Sequence, residues 1–568
     1  MVPVEKNKEY ILTVESVTSE GSGVAHLEGY TIFVPQTAAG DIVRALIVKV
    51  KSRYGYGKML ELLTPSPDRQ TPPCNAYQHC GGCQIMHLSY PAQLQFKSNQ
   101  IRDALERIGG FSEIRDIPVE GMEHPFAYRN KMVFPVGEDE NGQPVCGFYA
   151  QRSHRIIPLS HCSLGADGIP PILEAVLAYM KENHVRAYNE TQHLGLVRRI
   201  FIRTAKQTGE MMVVLSVNGT SVPQPEKLVR QIREASGQVV SILLNCNTKR
   251  TNLVLGEENK LLWGKERITD TLCGITYEIS PHSFFQINPE QTEKLYLKAI
   301  SFAGLAGNEA VMDLYCGIGT ISLYAAQKAR HVTGVEVVPA AVEDARKNAE
   351  RAGITNVDFY ADSAEHIVPQ LIQNGERPDV VILDPPRKGS DEKTLSAIVQ
   401  AAPKRIVYVS CNPATLARDA EFLAQYGYRL EKAEGFDLFP HTVHVETVAL
   451  LTHKKSVDRN CTQTPMDKKE ILSSSGIEEQ VLREICDLAK KYGVDKVILF
   501  GSRARGTYKK TSDIDIAVSG GDVNGFAISV DEETSTLLEY DIVNLDGSVQ
   551  EELKAVIKKE GKVFYEKI

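Results

Sequence analysis

Residues 381–390 read VILDPPRKGS, and residues 407–419 read VYVSCNPATLARD. Each stretch puts a chemical group directly after a short apolar, β-branched run: Asp384 follows residues 380–383, and Cys411 follows residues 406–409. Runs of this kind, bounded by turn residues, read as strands buried on both faces, as in parallel sheets. Open α/β sheets bind ligands beyond the carboxyl ends of their strands. Both segments should therefore open into one crevice, with a carboxylate on a proline-stiffened turn and a thiol across from it.

Upstream, residues 309–326, EAVMDLYCGIGTISLYAA, read as strand, glycine turn and helix. Asp313 ends the strand, and Gly317 and Gly319 let the backbone approach a ligand closely. The next strand, HVTGVEVV (331–338), carries Glu336 about twenty residues on, where an acid grips ribose hydroxyls. A dinucleotide fingerprint would place a third glycine three residues after the second, and none is there. S-adenosylmethionine fits better, with Asp313 near its amino-acid end. A third strand in VDFYADSAEH (357–366) puts Asp362 and Ser363 at the adenine edge. Residues 301–455 thus read as a Rossmann-like sheet within an α/β multidomain chain.

At 568 residues the chain exceeds one core and should form three or four domains. Its 42% hydrophobic and 24% charged content is ordinary for a soluble protein. No apolar run reaches the roughly 18 residues of a membrane span. The beginning, MVPVEKNKEY, lacks a signal peptide's apolar centre, so the cytoplasm is expected. The net charge of −8 neither supports nor excludes a nucleic-acid partner.

Residues 1–65 read as short alternating strands with glycine turns, an oligonucleotide-binding-type barrel. Arg44, Lys49, Lys51, Arg53 and Lys58 interleave there with Tyr54 and Tyr56. Cations for phosphates and rings for stacking suit RNA; a lysine-blunted strand edge reads equally well. After TPSPDRQTPP come Cys74, Cys80, Gly81, Gly82 and Cys83, and eleven cysteines in such a chain point to metal or catalysis at some of them. Cys162 is the best fourth thiolate and Cys146 its rival, with zinc and an iron–sulfur cluster both open. The rest of 66–300 reads as a central α+β domain, ending in ISPHSFFQINPEQTEKLY (279–296) with a helix opened by Asn288 and Pro289.

DLYCGIGT (313–320), DPPRKG (384–389), VYVSCNPATLARD and DLFPHTVHVETVALL (437–451) resemble the RNA (uracil-5)-methyltransferase family over roughly residues 5–455. The N-terminal barrel is similar to a TRAM domain. The cysteines resemble the branch that acts on 23S ribosomal RNA, which implies a 4Fe–4S cluster on Cys74, Cys80, Cys83 and Cys162. The resemblance makes Cys411 the nucleophile and Glu446 the base, with His441 and His444 as neighbouring alternatives. It implies a cofactor site of Gln286, Tyr315, Glu336 and Asp384. The chemistry explains these residue types. Carbon 5 of uracil is a poor nucleophile until a thiolate adds at carbon 6, and a base must afterwards take the carbon 5 proton. Cytosine carbon-5 enzymes are the runner-up. Arg387 stands where an adenine amino-methyltransferase would carry a stacking aromatic.

The family pattern ends near residue 453. A polar linker, 456–466, precedes a further α+β domain over 467–568. DKVILFGSRARGTYKKTSDIDIAV (495–518) reads as strand, turn, helix start and strand. Asp513 and Asp515 alternate to one face, Asp541 lies on a later strand, and together they suit magnesium. Gly501 and Ser502 suit a nucleotide's phosphates. The segment resembles minimal nucleotidyltransferases found as antitoxins to HEPN-type ribonucleases, implying ATP, magnesium and a toxin partner. A regulatory or toxin-neutralising binding module is the alternative, and Met466 also admits two joined genes.

Overall fold

The structure, a computed structural model, describes residues 2–453 except Arg152, and 475–566 except Glu478, Lys510, Thr511, Leu537 and Ser548. It forms two compact units, Met1–Ser456 and Val457–Ile568. The expected linker 456–466 and Met466 lie outside the described residues. No described helix is long and apolar enough to cross a membrane.

The first unit begins with β1 (Glu9–Val17), β2 (Ser22–Leu27), β3 (Tyr30–Pro35), β4 (Ile42–Val50) and β5 (Tyr54–Thr64), closed into a barrel in the order β1-β2-β3-β5-β4. Strand alternation sends Leu12, Val14, Ile32, Val34, Val43, Ala45 and Ile47 inward, all buried. On the barrel, Phe33, Tyr54 and Tyr56 form a triangle with every pair of ring centroids 5.7 Å apart. The basic run is partly neutralised, because Arg44 pairs with Glu61 and Glu9.

A seven-stranded mixed sheet comes next along the chain, ordered from Glu258–Gly264 through Val239–Cys246, Met211–Val217, Val197–Thr204, Lys131–Glu138 and Pro144–Tyr149 to Ile156–Pro158. The helices Ile169–Glu182 and Pro225–Ala235 share its core.

The third layer is an eight-stranded sheet. Its order runs Val357–Ala361, His331–Glu336, Ala310–Leu314, Val380–Leu383, Arg405–Ser410, Glu446–His453, Tyr428–Phe436 and Val119–Glu120. The first five strands are parallel. Val380 and Ile382 face one core while Val381 and Leu383 face the other, so the apolar run is buried on both sides. Chain order reverses between Ala310–Leu314 and Val380–Leu383, which opens the crevice at their carboxyl ends.

The middle region is not one domain in space. The helix Tyr90–Arg107 puts Ile101 and Leu105 into the catalytic sheet's core, and Val119–Glu120 forms that sheet's edge. The helix Pro289–Ala303 packs Leu295, Tyr296, Ala299 and Ile300 on the opposite face. Burial of these apolar stripes, at roughly 25 cal/mol per Å², outweighs their nearness in sequence to the seven-stranded sheet.

In the second unit, four strands lie in the order Tyr540–Asn544, Ile514–Ser519, Lys496–Leu499, Lys562–Glu566. The helices Glu479–Lys491 and Val523–Glu533 bury Ile485, Ala489, Phe526 and Val530 in its core.

Candidate active site

The crevice is a cavity of about 1300 Å³ whose wall includes Gln286, Tyr315, Gly317, Glu336, Asp384, Arg387, Cys411, His444 and Glu446. Cys411 follows the strand Arg405–Ser410, and Asn412 caps the helix Pro413–Gln425 by accepting from the Ala414 amide at 3.1 Å. Asn412 Nδ2 also donates to the Arg387 carbonyl at 3.1 Å, tying the thiol's turn to the DPPR turn.

Two carboxyls and a thiol share one poorly solvated wall. Burial pushes the Cys411 thiol up to about 11; Glu446 and Asp384 add to this and Arg387 opposes it. Glu446 is buried, and burial followed by the Asp384 charge drives its carboxyl well above the usual range. Burial drives Asp384 upward as well. Arg387 is the cation that works against the rise at both Cys411 and Glu446. Its Nη2 lies 2.7 Å from His444 Nδ1. In the sequence Arg387 registers only as the absence of an aromatic; its charge balance needs the fold.

The two alternative bases separate. His441 is buried beneath the loop and absent from the cavity wall, with its pKa lowered to about 4, mainly by burial. His444 lies on the wall, yet burial and Arg387 also lower it to about 4. Both are neutral at ordinary pH.

Glu336 accepts from the amides of Gly317 at 3.1 Å and Val338 at 3.0 Å, fixing its carboxylate at the cavity edge. Gly317 has φ +57° with open space where a Cβ would stand, so bare backbone faces the cavity. Gly319 does not: its Cβ would meet Phe359 at 3.0 Å, and its role is helix packing. Tyr315 Oη lies 3.3 Å from Ser390 Oγ, and the Gln286 carbonyl accepts from Asn130 at 2.7 Å.

Two expected cofactor residues lie off the wall. Asp313 sits within the strand Ala310–Leu314, so its side chain enters the sheet face, where Ser322 donates to Oδ2. It is fully buried, its other oxygen has no partner, and burial raises it to about 7. Asp362 turns back on the Ser363 amide at 2.6 Å; Ser363, not Asp362, lines the cavity.

A second cavity, of about 80 Å³, is lined by Cys74, Cys80, Cys83 and Cys162 together with Arg129, Met86, Met132 and Leu164. Burial pushes Cys83 up to about 12, with Cys162, Cys80 and Cys74 adding to the rise and Arg129 opposing it. Cys146 is buried in the seven-stranded sheet's core instead. Among the described residues, no three thiol, imidazole or carboxylate groups converge on a point as ligands of one ion do.

In the second unit, Asp515 pairs in register with Asp541 on the neighbouring parallel strand. Asp513 lies just before the strand, not on it. Burial, then Asp541 and Asp513, raise Asp515; Arg505 and the Ser502 amide oppose the rise. A Cβ at Gly501 would fall 2.1 Å from Asp515 Oδ2, so only glycine fits beside that carboxylate.

Comparison with known proteins agrees with this architecture. The tRNA (uracil-5-)-methyltransferase family profile matches residues 227–454, the TRAM domain profile residues 3–60, and the polymerase beta nucleotidyltransferase profile residues 483–568. An uncharacterized RNA methyltransferase of Halalkalibacterium halodurans is 46% identical over 452 residues, covering 80% of this chain and 98% of the relative. One of Clostridium tetani is 44% identical over 455 residues, with the same coverage. The crystal structure of Pyrococcus abyssi tRNA (uracil-54, C5)-methyltransferase with S-adenosyl-L-homocysteine superposes with a TM-score of 0.63 at 29% identity, covering 78% of this chain and 100% of that one. The chain therefore belongs to the S-adenosylmethionine-dependent RNA uracil-5-methyltransferase family, with a TRAM domain in front and a nucleotidyltransferase domain behind.

Proposed function

We propose that the protein methylates carbon 5 of a uridine in 23S ribosomal RNA through a covalent adduct on Cys411. The observation that carries this reading is the shared wall of Cys411, Glu446 and Asp384 with Arg387 as their counter-charge. The thiolate adds to carbon 6, and carbon 5 becomes nucleophilic. Once carbon 5 carries the methyl group, Glu446 takes its proton, the C–H electron pair becomes the carbon 5–carbon 6 double bond, and Cys411 leaves as thiolate. Asp384, on the stiff Pro385-Pro386 turn, orients the base against the cofactor. The base reaches this cavity by leaving its stack or from a loop.

The cavity suits S-adenosylmethionine: Glu336 is held for ribose hydroxyls and Gly317 bares its backbone, while Asp313 acts from behind the wall through its charge and not by contact. Gln286 and Tyr315 complete the set. When bound, the cofactor supplies an electrophilic methyl group on a cationic sulfonium. An acid-rich wall favours such a cation, and a nearby cation in turn lowers a thiol raised by burial.

The four thiols of Cys74, Cys80, Cys83 and Cys162 line one small cavity, and it is this shared lining that supports a 4Fe–4S cluster there. Methyl transfer needs no electrons, so the cluster acts as a strut. The barrel and these cysteines favour ribosomal RNA. Transfer RNA is the second reading, favoured by the end-to-end coverage of the Pyrococcus abyssi enzyme.

In the second unit, Asp513, Asp515 and Asp541 would hold magnesium, and Gly501 and Ser502 the phosphates of ATP. AMP transfer to a partner protein of the HEPN-toxin kind fits these groups; a non-catalytic binding module is the alternative. Three acids crowding one another support the metal reading.

The test is incubation with labelled cofactor and RNA containing 5-fluorouridine. Fluorine cannot leave as a proton, so a stable protein–RNA adduct should form through Cys411; active enzyme without adduct sinks the mechanism. Mapping 5-methyluridine in a deletion strain decides the target. Unchanged ribosomal RNA with a lost tRNA methyl would select transfer RNA.

A further inference from the structure

The segment 437–445, which carries His444 and leads directly into Glu446 at the start of the strand Glu446–His453, links two strands of the catalytic sheet with no helix or strand of its own. Its hydrogen-bonding groups are met largely from outside that sheet. Lys97 pairs with Asp437 in a fully buried ion pair, and Tyr90 Oη donates to the same carboxylate at 2.9 Å. The Leu438 carbonyl accepts from Asn288 at 3.2 Å, that of Phe439 from Lys97 at 3.1 Å, and that of Pro440 from Tyr128 Oη at 3.1 Å. The His441 carbonyl accepts from the amides of Gln84 and Ile85, both at 3.1 Å.

His441 is the joint. Its backbone takes the left-handed conformation, φ +68°, which is uncommon for a side-chain-bearing residue and is held here by its contacts. Its amide donates to Gln93 Oε1 at 2.9 Å. Its ring is held between Gln93 Nε2 at 3.3 Å and the Pro125 carbonyl at 3.0 Å, and Phe126 stacks on it at 4.5 Å. The clamping residues are chain neighbours of the thiol cavity: Gln84 and Ile85 directly follow Cys83, and Tyr128 directly precedes Arg129.

We propose that this clamp sets the position of Glu446, so that the cysteine-bearing loop governs the second half of the reaction. Gln93, Tyr128 and His441 are positioning residues; none of them lines the active-site cavity. The inference rests on reading Glu446 as the base. In that step the carboxylate takes the carbon 5 proton, and the freed C–H electron pair becomes the carbon 5–carbon 6 double bond. The carbon 6–sulfur bond breaks, and its electron pair returns to Cys411 as thiolate. Adduct formation and methyl transfer use Cys411 and Asp384 at the ends of the parallel strands, which the clamped segment reaches only through His444 against Arg387. Loosening the clamp therefore slows release more than it slows adduct formation.

The experiment uses full-length chain, S-adenosylmethionine and RNA from cells lacking this gene, which holds the unmodified target whichever class it belongs to. Gln93→Leu should accumulate covalent protein–RNA complex at least fivefold on denaturing gels, release methylated RNA about tenfold more slowly, and bind cofactor within twofold of the wild type. Tyr128→Phe, which deletes one hydroxyl and keeps its packing, should move the same readouts less, and it carries the test if Gln93→Leu lowers Tm. Cys83→Ser should also accumulate adduct. Release at the wild-type rate in Gln93→Leu and Tyr128→Phe overturns the proposal, as does equal loss of adduct formation and release. Wild-type release in Cys83→Ser removes the thiol loop from the device. Failure of wild type to form the 5-fluorouridine adduct would instead overturn the reading of Cys411 and Glu446.

Discussion

The two units each gather acids, and they do so in opposite ways. In the methyltransferase cleft, Asp384 and Glu446 share a wall with a thiol, and burial is the main force on all three. In the second unit, Asp513 and Asp541 are exposed and Asp515 is half-buried, and each charge faces another. Burial makes a carboxylate a proton acceptor of raised affinity, as a general base requires. In the second unit, exposure leaves Asp513 and Asp541 open to a cation from solvent, beside an Asp515 that burial raises.

The largest effect that breaks the comparison is loss of the thiol. Cys411→Ala should reduce methylation by about 10⁴-fold or more, roughly 5.5 kcal/mol of barrier, and abolish the 5-fluorouridine adduct; radiolabel transfer from the cofactor measures it. Glu446→Gln should lower turnover by about 10²- to 10⁴-fold while leaving adduct formation intact, so ordinary RNA stays attached to the protein on denaturing gels.

Arg387→Met sharpens the electrostatic side. Arg387 holds both the thiol and the Glu446 carboxyl down, so its removal raises both. Thiolate is the reactive form and increases with pH below its pKa. The variant should therefore lose roughly 10- to 100-fold in adduct formation at neutral pH and recover as pH rises. A parallel pH–rate profile with no displacement would remove Arg387 from this role. The smallest effect should come from the other site. Asp515→Asn should change methylation less than twofold while abolishing transfer of α-phosphate label from ATP, because its carboxylate belongs to the other unit's acid cluster.

The sequence carries the cleft better than it carries the partition of the chain. Val380–Leu383 and the DPPR turn are local: an apolar run sets the strand, and the residues directly after it lie at its carboxyl end. Asp313 misleads because it looks terminal, yet the strand continues to Leu314 and turns the carboxylate under the helix Thr320–Ala326. The helices Tyr90–Arg107 and Pro289–Ala303 join a sheet whose strands lie mostly far along the chain, which no local pattern reveals. The contact between Gln93 and His441 spans 348 residues, and no local pattern singles out His441 from the chain's other histidines as the joint.

The lone oxygen of Asp313 has a thermodynamic consequence. A buried carboxyl raised to about 7 is part-protonated at neutral pH. A cationic ligand arriving near the glycine turn favours its ionised form, so binding should expel a fraction of a proton into the medium. Titration calorimetry in phosphate and in Tris should then give different apparent binding enthalpies, by the released fraction times the difference in buffer ionisation heat. Asp313→Asn should narrow the difference between the two buffers, and Asp384, also raised by burial on the cavity wall, accounts for what remains.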